Sequence, residues 1–159
     1  NTSNGEECIK KLARYTDDAI KVLIEKLKRD NLLDDTVIVF ATDHYAYGYN
    51  SKEVEKIKGG NDNIHLDKVP FFIWNNDKYV ATIDKYVDTQ DILPTVLNLF
   101  GIEYENIYIG TDVLSSNHNN YVYFSDSTYT GDIDNVNIKD ITNEIDINEL
   151  IIDLDYYDN

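Results

Sequence analysis

The sequence predicts an α/β fold in which a mostly parallel sheet is flanked by helices. A strongly periodic helix comes first in the chain, two short runs of continuous apolar residues follow it, and a second helical pattern comes after them. Strands that are apolar on both faces are typical of sheets covered by helices on both sides. The 159 residues, 42% of them hydrophobic, are enough for one core and too few for two ordinary domains.

The first predicted helix carries a single apolar stripe. Ser3 with Glu6 offers a capping box at its start, and the turn at Asp30 and Asn31 ends it. Cys8 is interpreted as a small buried hydrophobe, and as the one cysteine of the chain it excludes an internal disulfide. The stripe recurs at spacings of three and four residues, through Ile9, Leu12, Ala13, Ile20, Leu23, Ile24 and Leu27.

Turn residues and apolar runs predict the remaining elements. Pro70 belongs at the start of a strand, where a missing N–H matters least, and Gly101 suits the position just after a helix. The long connection between the first two strands contains one candidate helix. The predicted elements are strands at 36–41, 69–74 and 121–124, and helices at 51–57 and 89–100.

The tail differs in composition, so we divide the chain into a main part at 1–129 and a partly helical acidic tail at 130–159. From Asp126 onward ten residues are acidic and Lys139 alone is basic. Residues 145–154 predict a modest amphipathic helix, whereas residues 130–140 are equally compatible with a solvated linker. The net charge of −16 argues against nucleic acid as a partner and disfavours docking on anionic lipid.

The sharpest chemical signal is the pair Asp43 and His44, which follows the first apolar strand. Ligands in open α/β sheets bind beyond the carboxyl ends of strands. A carboxylate beside an imidazole suits a divalent metal ion, with Mn²⁺ or Zn²⁺ favoured over Mg²⁺ by the histidine. Two ligands do not complete a site. His65 is interpreted as a loop-packing residue and His118 as a solvated turn residue.

No part of the sequence is interpreted as a membrane segment. No apolar run approaches the length that spans a bilayer, and residues 1–5 lack the basic and apolar regions of a signal peptide. Any membrane anchor is therefore expected outside these residues.

The order of several segments resembles the lipoteichoic acid synthase branch of the alkaline phosphatase and sulfatase superfamily. The resemblance covers about residues 8–127 and is specific in its order and spacing. The segments that carry it lie at 14–20, 35–45, 68–74, 88–102 and 109–115.

The resemblance implies a partial alkaline-phosphatase-like or sulfatase-like domain, the carboxy-terminal half of a metal-dependent phosphotransferase. Asp43 and His44 would bind the ion, Mn²⁺ above all. The remaining ligands, the nucleophilic threonine and the residues that grip a glycerophosphate group would belong to a missing upstream half of the same domain. The implied substrate is an anionic lipid or polymer phosphodiester at the extracellular face of a bacterial membrane, and this chain alone is expected to be inactive.

Two alternatives remain open at this stage. The first is a sulfatase. Sulfatases resemble this chain in the Asp-His pair at the end of a strand, and they use a modified cysteine or serine upstream of it. A non-catalytic module whose acidic tail binds a cationic partner is the other alternative. If the chain is a fragment of a larger domain, the missing neighbouring strands would leave an open sheet edge and apolar surface, so we also expect self-association of the chain.

Overall fold

The computed structural model confirms an α/β chain and divides it into two compact units, residues 1–80 and 81–159. The structure describes residues 5–45, 51–60, 62–77, 80–104, 109–124 and 126–156. Five α-helices and four strands occur in these residues. No helix within them is both long and apolar enough to cross a bilayer.

The first unit begins with helix α1, Gly5–Arg29. Asn31 ends it in the left-handed conformation (φ 58°), where asparagine is tolerated, and the Leu32 amide closes the last turn on the Leu27 carbonyl. The proposed cap at Ser3 lies outside the described residues. Cys8 is exposed, so its interpretation as a buried hydrophobe was wrong.

Strands β1 (Ile38–Ala41) and β2 (Phe71–Trp74) form one ladder of the first unit, and they run antiparallel. The expectation of a mostly parallel sheet is therefore wrong for the described strands. A continuous apolar run shows that both faces need cover, but it does not encode the direction of pairing. The rings of Phe40 and Phe72, opposite each other in the register, stack with centroids 4.7 Å apart.

The connection between these strands contains two helices, α2 (Ser51–Lys58) and α3 (Asn63–Asp67). The Asp62 side chain caps α3 by accepting a hydrogen bond from the His65 amide. The ammonium of Lys58 donates to the carbonyls of Leu66 and Lys68, which fastens α2 to the segment before β2. Burial lowers the pKa of Lys58, and the nearby Asp67 carboxylate opposes that shift.

The second unit contains α4 (Ile92–Leu99), the antiparallel strands β3 (Tyr121–Tyr123) and β4 (Tyr129–Gly131), and α5 (Ile138–Asp153). A single turn of 3₁₀ helix, Thr89–Asp91, precedes α4, and Gly101 follows it at φ 63°, as expected for a terminating glycine. Helix α5 begins seven residues before Ile145, the first residue of the predicted tail helix.

All of the described residues that are buried belong to the second unit. This small core consists of Gly110 and five residues that are each at most 5% exposed, Pro94, Thr95, Asp91, Val113 and Ile141. Ile141 and Ile145 of α5 line one side of a cavity of about 50 Å³, with Tyr121 and Tyr123 of β3 among its other walls. The acidic tail helix thus shares a cavity with β3, whereas no described side chain of residues 5–80 is buried.

Candidate functional site

Asp43 and His44 stand just beyond the carboxyl end of β1. The Asp43 side chain is 89% exposed and that of His44 is 45% exposed, with 3.7 Å between Asp43 Oδ1 and His44 Nε2. His44 Nδ1 lies 2.5 Å from the Tyr45 carbonyl oxygen. A carbonyl only accepts, so Nδ1 donates to it, and Nε2 lies on the side of the Asp43 carboxylate. Ligating histidines usually hold their second nitrogen in this way.

Thr42, directly before the pair, has a side-chain hydroxyl that is enclosed by the protein. The oxygen of this hydroxyl, Oγ1, has no hydrogen-bond partner, and no other enclosed side-chain nitrogen or oxygen of the described residues lacks one. An enclosed hydroxyl left unsatisfied costs about 1–3 kcal/mol.

The other two histidines are used elsewhere. His65 Nδ1 lies 2.9 Å from both Asp62 carboxylate oxygens, at the start of α3. His118 is half-buried: its Nε2–H donates to the Tyr86 carbonyl at 2.7 Å, and its Nδ1 accepts from the Thr111 hydroxyl at 2.9 Å. Its interpretation as a solvated turn residue was therefore wrong.

No group of three metal-binding side chains occurs within the described parts of the chain. The Asp43 carboxylate and the His44 imidazole fit one side of a divalent-metal site in their chemistry and spacing. A catalytic site of this kind takes about three protein ligands. A metal site that used this pair would therefore take further ligands from outside the described residues.

Asp91 is the charged residue that sequence reasoning missed. It is 5% exposed, and its carboxylate accepts the amide of Asp88 at 2.9 Å and that of Thr111 at 2.7 Å. Burial raises the pKa of Asp91, and the two amide hydrogen bonds oppose that shift. The signal in the sequence was a capping box, since Asp88 and Asp91 stand three residues apart before an apolar run.

Thr95 extends the same network into the core. Its hydroxyl donates to the Asp91 carbonyl at 2.6 Å and accepts the amide of Val113 at 3.0 Å. Gly110 comes so close that an added Cβ would stand 2.0 Å from the Gln90 carbonyl oxygen. Together these contacts fix the loop at 110–113 onto the start of α4.

Comparison with known protein families identifies the family of this chain. Residues 7–102 match the family model described as Sulfatase, which is more than half of the chain. The chain belongs to the sulfatase family. Asp43, His44, Asp91 and Thr95 all lie in the part that matches the sulfatase model, whereas β3, β4 and α5 lie after it.

Curated relatives of this sulfatase-family chain are lipoteichoic acid synthases, which confirms the resemblance found in the sequence. The Staphylococcus saprophyticus synthase is 36% identical over 127 residues, 74% of this chain and 19% of the relative. Lipoteichoic acid synthase 2 of Bacillus subtilis is 32% identical over 124 residues, with the same shares. The Staphylococcus aureus USA300 synthase is 34% identical over 146 residues, 87% of this chain and 22% of the relative.

The chain thus spans about a fifth of the length of these synthases. No solved structure matches it significantly.

Proposed function

We propose that this chain supplies the Asp-His side of the metal site in a cell-surface phosphotransferase that transfers glycerophosphate groups. The observation that carries the proposal is the pair Asp43 and His44, 3.7 Å apart at an exposed strand end inside the sulfatase-family segment. The similarity to lipoteichoic acid synthases supports glycerophosphate transfer over other reactions of the family.

The metal would be held by Asp43 Oδ1 and His44 Nε2. The hydrogen bond from His44 Nδ1–H to the Tyr45 carbonyl orients the ring with Nε2 on the side of the Asp43 carboxylate, and Nε2 would bind the ion in its neutral form. Mn²⁺ is the ion we favour for a mixed carboxylate and imidazole set, with Zn²⁺ or Mg²⁺ as alternatives. A bound divalent ion would neutralise the negative charge that develops on a phosphoryl group.

The missing upstream half of the same domain is the partner that we propose for residues 5–80. Two donors are too few for a catalytic metal site, so the remaining ligands and the nucleophile would come from that half. The exposed apolar side chains of the first unit support the same conclusion, since Val39 and Phe72 of the ladder are 36% and 48% exposed. Such surface on both faces of a strand pair is suited to burial under further polypeptide.

The substrate that we propose is an anionic lipid or polymer phosphodiester outside the cell membrane. The strong negative charge of the chain disfavours unaided attraction of such a substrate, so the metal ion would supply the local positive charge. A membrane anchor upstream would hold the enzyme at the extracellular face. The sequence has Ala46 where glycine is commoner in this branch, which leaves open a surface phosphodiester other than polyglycerolphosphate.

Calorimetric titration of Mn²⁺ into the chain tests the metal site directly. We expect weak binding, with a dissociation constant on the order of 1 mM, because two ligands give only part of the coordination energy. Asp43→Asn should abolish the heat of Mn²⁺ binding at this site. Asp77→Asn, which removes an exposed carboxylate from the same unit, should leave that heat unchanged. A titration in which both variants behave alike would mean that the heat comes from general attraction to acidic residues.

The same samples should show no hydrolysis of a glycerophosphodiester. Multiple turnover by the chain alone would place the nucleophile and the other ligands within these 159 residues and would overturn the proposed division of the site.

A chimera tests the proposed reaction. Residues 7–102 would replace the matching segment of the Staphylococcus aureus lipoteichoic acid synthase, and glycerophosphate transfer would be measured. Activity in the chimera that is lost with Asp43→Asn and kept with Asp77→Asn would support the proposal. A folded chimera that binds Mn²⁺ but is equally active with either substitution would contradict it.

Sulfate-ester hydrolysis is the second candidate, because the family model that matches is described as Sulfatase. The similarity to synthases over 74% and 87% of the chain weighs against it. The full-length protein that contains this segment should be assayed with an aryl sulfate and with a glycerophosphodiester. Faster turnover of the sulfate would favour this candidate.

A further inference from the structure

Helix α5 carries two apolar stripes, and one of them is covered in its first turns by the second unit, while its last residue, Ile152, is 66% exposed. Ile141 and Ile145 face the cavity beside β3, and Ile141 is 5% exposed. Ile147, Leu150 and Leu154 are 57%, 54% and 61% exposed. With Ile151 these residues follow the spacing of three and four that defines one helix face. At 3.6 residues per turn, this outer stripe lies about 150° away from the covered one.

Carboxylates flank the outer stripe on both sides. On a helical projection Asp146 and Asp153 lie along one side of it and Glu144 along the other. Lys139, near the start of the helix, is the one basic residue of α5. The outer stripe is therefore an apolar strip between two acidic borders.

This charge pattern discriminates between occupants. A second copy of α5 would bring its own acidic borders against these, and like charges in such a contact are unfavourable. An anionic lipid surface would repel them for the same reason. A polypeptide surface with an apolar groove between lysine or arginine side chains complements both the strip and its borders. Helices that bind in grooves use anchors at this same spacing.

We propose that the outer stripe of α5, residues Ile147, Leu150, Ile151 and Leu154, docks in an apolar groove with a basic rim on another polypeptide. The apolar anchors supply the affinity, and the acidic borders set the orientation and the rate of association. This inference does not depend on the metal site or on the proposed reaction.

The first test measures binding of a fluorescein-labelled helical Lys/Leu peptide to the 159-residue chain, with a Glu/Leu peptide of equal length as its counterpart. Ile147→Ala/Leu150→Ala removes the anchors and leaves every charge in place. Alanine favours helix, so α5 should remain folded, which circular dichroism checks. Ile83→Ala/Leu114→Ala is the matched control, because these side chains of the same unit are 44% and 47% exposed and lie outside α5.

We expect the wild-type chain to bind the Lys/Leu peptide and not the Glu/Leu peptide. The anchor variant should bind about tenfold more weakly, as the loss of two half-buried anchors predicts, and the control variant should match wild type. Asp146→Asn/Asp153→Asn should weaken binding and flatten its salt dependence. An anchor variant that binds as tightly as wild type would mean general charge attraction alone and would overturn the proposal.

The remaining outcomes identify other occupants. Sedimentation of the same variants shows whether the outer stripe joins two copies of the chain. Vesicles of phosphatidylcholine with phosphatidylglycerol show whether it binds lipid. Association or vesicle binding that is lost with Ile147→Ala/Leu150→Ala and kept in the control would assign the stripe to that occupant and overturn the basic groove.

Discussion

Asp91 and Thr95 show how single polar residues hold the second unit together. Each is at most 5% exposed, and each connects α4 to the loop that follows it through backbone amides. A buried polar group is stabilising only while its partners are present, and the loss of one partner leaves the other unsatisfied. The two residues are therefore expected to matter for stability more than any exposed charge of the chain.

Asp91→Asn should lower the free energy of unfolding by about 1–3 kcal/mol. The amide nitrogen of asparagine would face one of the two backbone donors, so one buried hydrogen bond would be lost. Urea unfolding at neutral pH measures the change. Asp134→Asn, at an exposed turn, is the control, and equal effects from the two substitutions would contradict the structural role of Asp91.

The raised pKa of Asp91 gives this residue a predictable pH dependence. Its folded-state pKa lies above the unfolded value, so the folded chain binds that proton more tightly. The stabilisation from this proton is complete below the unfolded pKa and is lost as the pH rises through the folded one. Wild type should therefore lose stability relative to Asp91→Asn as the pH is raised through that window. Parallel stability curves for the two proteins would refute the prediction.

Thr95→Val should cost about 1–3 kcal/mol, because it leaves the Val113 amide buried without its acceptor. Thr95→Ser keeps the hydroxyl and removes one methyl group, worth about 0.8 kcal/mol. Hydrogen exchange at the Val113 amide should accelerate much more in the valine variant than in the serine variant. Equal exchange rates would show that the hydroxyl contributes nothing there.

Some single residues could be recognised from the sequence as candidates for a site, whereas the burial of others could not. Asp43 and His44 could be selected because they follow an apolar strand, where ligands bind in α/β folds. Asp91 could not be recognised as buried, since its amide partner Thr111 is twenty residues away and only folding brings them together. His118 was misjudged for the same reason, because its partner Tyr86 is distant in sequence.

At the scale of elements, periodicity predicted α1, α2 and α4 well, missed α3, began α5 too late and did not predict the strand pairing. The stripes of α1 and α4, and the short helix α2, were found at close to their observed bounds. Both ladders are antiparallel, which no local pattern specified. β4 was missed because its three residues, Tyr129–Gly131, give no alternation, and the strand depends on β3 for its hydrogen bonds.

Asn137→Ala tests how far local signals sustain α5. The Asn137 side chain caps the helix by accepting the Lys139 amide at 3.2 Å. Loss of such a cap costs about 0.5–2 kcal/mol, and the substitution should lower helicity and raise hydrogen exchange in the first turn. Asn143→Ala, within the same helix, should do neither. If both variants keep wild-type exchange, packing through Ile141 alone would hold the start of α5.

At the scale of the whole molecule, burial is unevenly distributed between the two units. The buried core lies within residues 81–156, while the first unit carries Asp43 and His44 and exposes apolar side chains from α1 and the β1–β2 ladder. The upstream half that we propose for the same domain would cover these exposed surfaces.

The final prediction follows from that exposed surface. At high concentration the chain should associate with itself through the β1–β2 ladder, since both strands have an edge without a partner among the described residues and Val39 and Phe72 are part-exposed. Val39→Lys places a charge on the edge strand and should shift the chain toward monomer in sedimentation velocity. Leu150→Lys, on the outer stripe of α5, should leave association unchanged. A wild-type chain that stays monomeric throughout would mean that its first unit closes its own surface, and the need for an upstream half would then rest on the metal ligands alone.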